Sequence, residues 1–158
     1  MRVTRFSTVA VIVIAAAIAV AAEVRQAAPK LIVVKPTDLK WGPAPPVLPA
    51  GAQMAVVDGD PAKAGLFTIR LKLPDGYVIP PHTHPTVENV VVVSGTLRIA
   101  MGTVRNDAEM QQLPVGAFTG IPKARAHYAA AKGETIIQIY GEGPFVLEHV
   151  NPSGKPAP

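Results

Sequence analysis

Four residues with metal-binding side chains stand at close, regular spacing in the middle of this 158-residue chain. Gly76 is followed by five residues, then His82, one residue, His84, three residues, Glu88, six residues and Gly95. A second block runs from Gly116 through Pro122 to His127. Imidazole and carboxylate are the side chains that hold borderline divalent ions. His82, His84, Glu88 and His127 are therefore the candidate ligands of one metal ion. The chain has no cysteine, so the coordinating shell is nitrogen and oxygen, and thiolate chemistry is excluded.

The elements around them must bring four side chains to one point. Residues two apart on a strand face the same way, so His82 and His84 can share a target. Pro85 cannot donate a ladder hydrogen bond and ends that strand. A turn at Pro85 and Thr86 returns the chain, and Glu88 opens the apolar run of residues 89–93 beside the histidines. Ser94-Gly95 reads as the next tight turn. His127 is distant in sequence and must arrive from another strand, as happens when a sheet closes on itself. Three histidines and one carboxylate leave one or two positions of an ion open to water or substrate.

The first block resembles the first motif of the cupin family at every defining position, with unmodified spacing. The second resembles the second cupin motif at Gly116, Pro122 and His127. It departs at Ala124, where the family usually has glycine, and at Ala131, where it often has asparagine. The first departure places a non-glycine residue in a left-handed turn, at roughly 1 kcal/mol. The second removes a polar group that in some relatives lines the substrate pocket. The resemblance spans residues 66–150 and implies the cupin double-stranded β-helix, a jelly-roll barrel. Trp41, the proline-rich stretch after it and residues 51–61 further resemble small secreted single-domain cupins.

Both ends of the chain have their own character. Arg2 and Arg5 precede a nearly unbroken apolar run over residues 7–20, with small residues at 19–22. This is the pattern of a cleaved secretory signal peptide over residues 1–22. The run is short for a membrane span, which needs about 20 residues. A periplasmic or secreted product without stable membrane insertion is expected. Residues 23–53 form a proline-rich N-terminal arm, 54–150 the barrel and 151–158 a tail. Of 15 basic residues against 11 acidic, two lie in the expected leader. The rest are scattered without aromatic neighbours, which speaks against nucleic-acid binding.

Short apolar runs alternate with turn residues from residue 54 onward. Expected strands are 54–57, 67–73, 90–93, 96–101, 117–121, 127–131, 135–140 and 145–150. Helical periodicity is nearly absent, so the class is all-β. Only residues 106–112 look helical. Leu31 to Val34 could add a short strand. Trp41 is expected to cap one end of the barrel. Phe67, Tyr77, Phe118, Tyr128, Tyr140 and Phe145 are core candidates. Asp75 and Asp107 read as turn residues, and His149 as a surface or core-edge histidine. Lys123 and Arg125 flank the turn before His127 and would favour an anionic substrate if they leaned toward the barrel mouth.

The functional expectation is a metal-binding cupin acting on a small molecule. The ion would be Mn, Fe, Ni or Zn, and the reaction dioxygenase- or lyase-like, with Glu88 both a ligand and a proton acceptor. The alternative is a non-catalytic protein that binds a small molecule or metal. A homodimer is expected, since small cupins often pair through their sheets and open barrels leave edges to cover. The apolar segment at residues 30–34 is the candidate contact.

Overall fold

The structure is a computed structural model and describes residues 31–151, 153 and 155. The expected signal segment at residues 1–22 lies outside the described residues. The chain divides into two compact units, Met1–Ile32 and Val33–Pro158, and the second carries every described secondary-structure element. Its described residues form nine strands: β1 (Gly42–Pro43), β2 (Gln53–Asp58), β3 (Gly65–Leu73), β4 (Val78–Thr83), β5 (Glu88–Met101), β6 (Gln111–Leu113), β7 (Phe118–Ile121), β8 (His127–Gly143) and β9 (Glu148–His149). All pairings are antiparallel. Among the described residues, no helix is long and apolar enough to cross a membrane.

Two long strands close the sheet on itself. The first part of β5 pairs with the last part of β8, Asn89 opposite Tyr140 and Val92 opposite Ile137. The remainder of β5 pairs with the beginning of β8, Leu97 opposite Ala131 and Met101 opposite His127. One half of β8 also pairs with β3, and the other with β4. Thus β5 and β8 each pass from one layer of a jelly roll to the other. Strands turn such corners through bulges. Here the register slips at Ser94 to Thr96, opposite the stretch between Lys132 and Ile136.

The expected turn at Ser94-Gly95 is therefore a bulge within one strand, and Lys132-Gly133 likewise lies inside β8. Gly95 has φ +76°, and a Cβ there would fall 2.4 Å from the Glu134 carbonyl oxygen. No other residue fits that approach without moving backbone. The buried Thr135 hydroxyl lies across the same corner, accepting from Thr96 N at 3.3 Å and standing 3.2 Å from Thr96 O.

Alternation along each strand builds the core. Phe67, Ile69, Leu71 and Leu73 of β3 face Val90, Val92, Leu97 and Ile99 of β5 and Ile137 and Ile139 of β8. Other sequence expectations change in three dimensions. Residues 106–112 form one 3-10 turn (Asp107–Glu109), capped by the Asn106 side chain, and then strand β6. The turn covers Tyr128, whose hydroxyl donates to Asn106 O at 3.1 Å. Leu31 to Val34 forms no strand, and Leu31 is 90% exposed. Residues 145–150 contribute only the two-residue β9. Phe118 and Tyr140 are exposed rather than core, because they sit at outward positions of β7 and β8 whose alternate neighbours face in.

Trp41 does not cap the barrel. It is half-buried, with the Lys72 ammonium 4.6 Å from its ring centre. Lys72 lies between inward-facing Leu71 and Leu73, so this cation–π pair sits on the outer side of β3. Leu48, seven residues further on, is buried instead.

Candidate metal centre

Local strand geometry positions each of the four side chains. His82 lies on β4 and His84 one residue beyond its end, both inward and 3% exposed. Glu88 is the first residue of β5, on the same face as Val90 and Val92. His127 is the first residue of β8 and pairs directly with His82. All four are buried, and their donor atoms lie within 4.8 Å of one another. Asp75 and Asp107 stay outside this cluster, as turn residues. Asp75 accepts from Gly133 N at 2.6 Å, and Asp107 pairs with Arg105.

Each imidazole is held by a backbone carbonyl. Nδ1 of His82 donates to Pro80 O at 2.7 Å, that of His84 to Val146 O at 2.6 Å, and that of His127 to Arg125 O at 3.0 Å. A carbonyl only accepts, so the proton of each neutral ring is on Nδ1 and the lone pair is on Nε2, turned inward. Outer partners of this kind orient metal-bound histidines. His84 is also clamped by Phe145, whose ring stacks on it at 4.5 Å and 15°.

Burial favours the neutral form of two of the rings, His82 and His84. Burial pushes the His82 imidazole down to about 2, and the neighbouring His127 adds to the fall. Burial also holds His84 below the ordinary histidine range. The Nε2 atoms of His84 and His127 both face a carboxylate. Glu88 Oε2 is 3.1 Å from His127 Nε2 and 3.5 Å from His84 Nε2. Acceptors so placed need a proton or a cation between them. His84 Nε2 is buried with no hydrogen-bond partner, an orphan that normally carries a penalty of about 1–3 kcal/mol. A divalent ion held by these four side chains would satisfy them all at once.

The cavity at the cluster is about 40 Å³, enough for an ion and one or two small ligands such as water. Its remaining wall is apolar and includes Leu48, Ile79, Val90, Ala129, Phe145 and Leu147. Ala131, expected where relatives carry a pocket-lining polar group, packs in the core, and Ala129 lines the cavity in its place. Lys123 and Arg125 are exposed and do not line it, so they supply no charge to the site. Ala124 does adopt the left-handed turn expected of a glycine, at φ 56°. Its N–H donates to His84 O at 2.7 Å, which ties the second motif to the first.

Leu48 and Leu147 were not legible as site residues, and Phe145 was legible only as core. The one available signal for Leu48 was an isolated leucine among prolines. His149 lies at the edge, opposite His82 across β4 and β9, with Nε2 2.7 Å from Val47 O.

Solved structures with this architecture include a proposed acetylacetone dioxygenase from Methylibium petroleiphilum. It is 17% identical, with a TM-score of 0.65 over 84% of this chain and 90% of that one. An acetylacetone dioxygenase from Acinetobacter johnsonii is 13% identical, with a TM-score of 0.63 over 85% and 86%. An RmlC-like cupin from Shewanella frigidimarina is 13% identical, with a TM-score of 0.55 over 72% and 91%. At these identities the likeness establishes the fold, a cupin β-barrel. No curated protein matches the chain in sequence. A family model described as a domain of unknown function matches residues 17–148. Most of the chain is covered by that match, and it belongs to this family, DUF4437.

Proposed function

We propose that this chain is a metal-dependent cupin that acts on a small oxygen-bearing molecule, with dioxygenase- or lyase-like chemistry. One observation carries the reading. Three buried imidazoles, each committed through Nδ1 to a backbone carbonyl, turn Nε2 toward one carboxylate within 4.8 Å. The fold likeness to proteins named as acetylacetone dioxygenases supports it.

His82, His84, Glu88 and His127 would hold the ion, which is Mn, Fe, Ni or Zn by donor type. When bound, such an ion polarises a carbonyl or carboxylate oxygen or activates O₂. The protein supplies the rest. The carbonyls of Pro80, Arg125 and Val146 fix the rings, and Phe145 holds the His84 plane. The apolar wall excludes bulk water, which strengthens every charge interaction inside. Glu88 Oε2 stands within reach of two imidazoles and is the group placed to take a proton from a bound substrate.

The test uses purified protein. Bound metal is measured by mass spectrometry, and O₂ uptake is followed with a panel of β-diketones, catechols and oxalate-like acids. Stoichiometric metal with turnover upholds the enzyme. Stoichiometric metal with ligand binding but no turnover favours a binding protein. Absence of metal after growth in metal-rich medium overturns the site.

Export with cleavage after Ala22, a periplasmic or secreted location and a homodimer belong to the same proposal. The leader-like sequence supports the first two, and sheet pairing among small cupins the third. N-terminal sequencing of exported protein should return Glu23, and light scattering should return the mass of a dimer.

A further inference from the structure

A second cavity adjoins the histidine cluster. It measures about 260 Å³ and lies between the proline-rich arm, strands β2 and β3, and the loops at residues 61–62 and 145–147. Leu48, Leu71, Phe145 and Leu147 line both spaces, so the two share a wall. That wall includes the ring that stacks on His84.

The second cavity has no polar side chain. Its ten lining residues are proline, valine, leucine, methionine, alanine, isoleucine and phenylalanine. Three of its backbone carbonyls are already engaged. Pro45 O accepts from Leu48 N, Pro61 O from Phe145 N, and Val47 O faces His149 Nε2. Little remains there to recognise a polar group. The space exceeds the roughly 150 Å³ known to accept a benzene ring. The small cavity beside it is the opposite case, with all its hydrogen-bonding and metal-binding capacity at one end and room for only a few atoms.

We propose that the two cavities are halves of one divided binding site, and that the ligand is amphiphilic. A compact oxygen-bearing head sits at His82, His84, Glu88 and His127. A hydrocarbon body of about the size of a ring or a short alkyl chain lies in the second cavity. Leu48 is the partition between them and therefore a specificity-determining residue. It is placed there by the turn from Pro45 and by the hold of His149 on Val47. The head-group half of this inference rests on the metal reading above, whereas the apolar half rests on the cavity alone.

The experiment titrates metal-loaded protein, without oxygen, with linear 2,4-diketones from pentanedione to nonanedione by calorimetry. Each added methylene should lower Kd about fourfold, from about 0.8 kcal/mol per buried CH₂, until the cavity is full. Ala62→Phe fills the cavity from an exposed loop position and should flatten this dependence while the protein keeps its metal. Val47→Trp should do the same from the other side. A Kd independent of chain length, or a length dependence unchanged in both variants, overturns the proposal. A separate titration of metal-free protein with 1-hexanol is followed by NMR. Saturable shifts at the methyl groups of Leu48, Met54 and Leu147 uphold the apolar half even if no metal binds. Absence of those shifts overturns it.

Discussion

The imidazole of His84 lies flat against the phenyl ring of Phe145, 4.5 Å apart and 15° from parallel. The next residue, Val146, accepts the His84 Nδ1 proton through its carbonyl. Phe145 in turn packs on Phe67 of β3, with ring centres 5.1 Å apart. One dipeptide near the C-terminus thus sets both the plane and the tautomer of a histidine sixty residues earlier.

Phe145→Leu keeps apolar volume in the wall but removes the stack. Metal affinity should fall by about 10–100-fold, the usual effect of losing an outer partner. A competitive chelator titration measures this. Affinity equal to wild type would mean that the carbonyl of Val146 orients His84 unaided.

Single removal of any ligand should act more strongly. His82→Ala, His84→Ala and His127→Ala should each lose most bound metal, measured by mass spectrometry on folded protein, because each takes one donor from a four-donor site. Glu88→Gln keeps the shape and removes the charge. It should weaken metal binding and abolish any turnover that uses Glu88 as a proton acceptor. His149→Ala should retain full metal content, since its Nε2 is committed to Val47 O.

The metal-free protein should lose stability in acid. His82 and His84 have folded pKa values below the unfolded value of 6.5, so the unfolded chain binds more protons below that pH. Their contribution is complete above pH 6.5 and declines as pH falls, for His82 down to about pH 2. Each histidine contributes a slope of up to about 1.4 kcal/mol per pH unit. Urea melts at pH 7, 6, 5 and 4 check this, and a flat profile would contradict the neutral buried rings.

Ala124→Gly should stabilise the fold. The left-handed conformation of Ala124, at φ 56°, carries a penalty of about 1 kcal/mol that glycine does not have. The expected gain is a rise of a few degrees in Tm with metal content unchanged, measured by calorimetry. A fall in Tm would show that the alanine methyl contributes packing that outweighs its backbone strain.

Local pattern was enough to read much of this protein from its sequence. Alternation marked β3, because facing inward or outward on a strand depends only on the residue two places away, and short apolar runs between turn residues marked most of β5 and β8. The same rule put His82 with His84, and Pro85 and Thr86 returned the chain to Glu88. His127 joined them on its spacing from Gly116 and Pro122, and the structure brings all four together. Other features depended on partners distant along the chain. Ser94-Gly95 is a bulge and not a turn because β8 bends opposite it, with Ser94 facing Ile136 and Thr96 facing Lys132, pairings too far apart along the chain for any local window to contain. Phe118 and Tyr140 have the composition of core residues but fall at outward positions of the closed sheet. Leu48 and Phe145 reach the site from opposite ends of the chain, through loops without periodicity. Residue types and their spacing were thus sufficient for the donor set, the strand class and the tight turn before His127. Which apolar side chains wall the site, and that a second, wholly apolar cavity lies behind them, emerged from the folded chain alone, since walls and cavities arise from the packing of segments that chain order keeps apart.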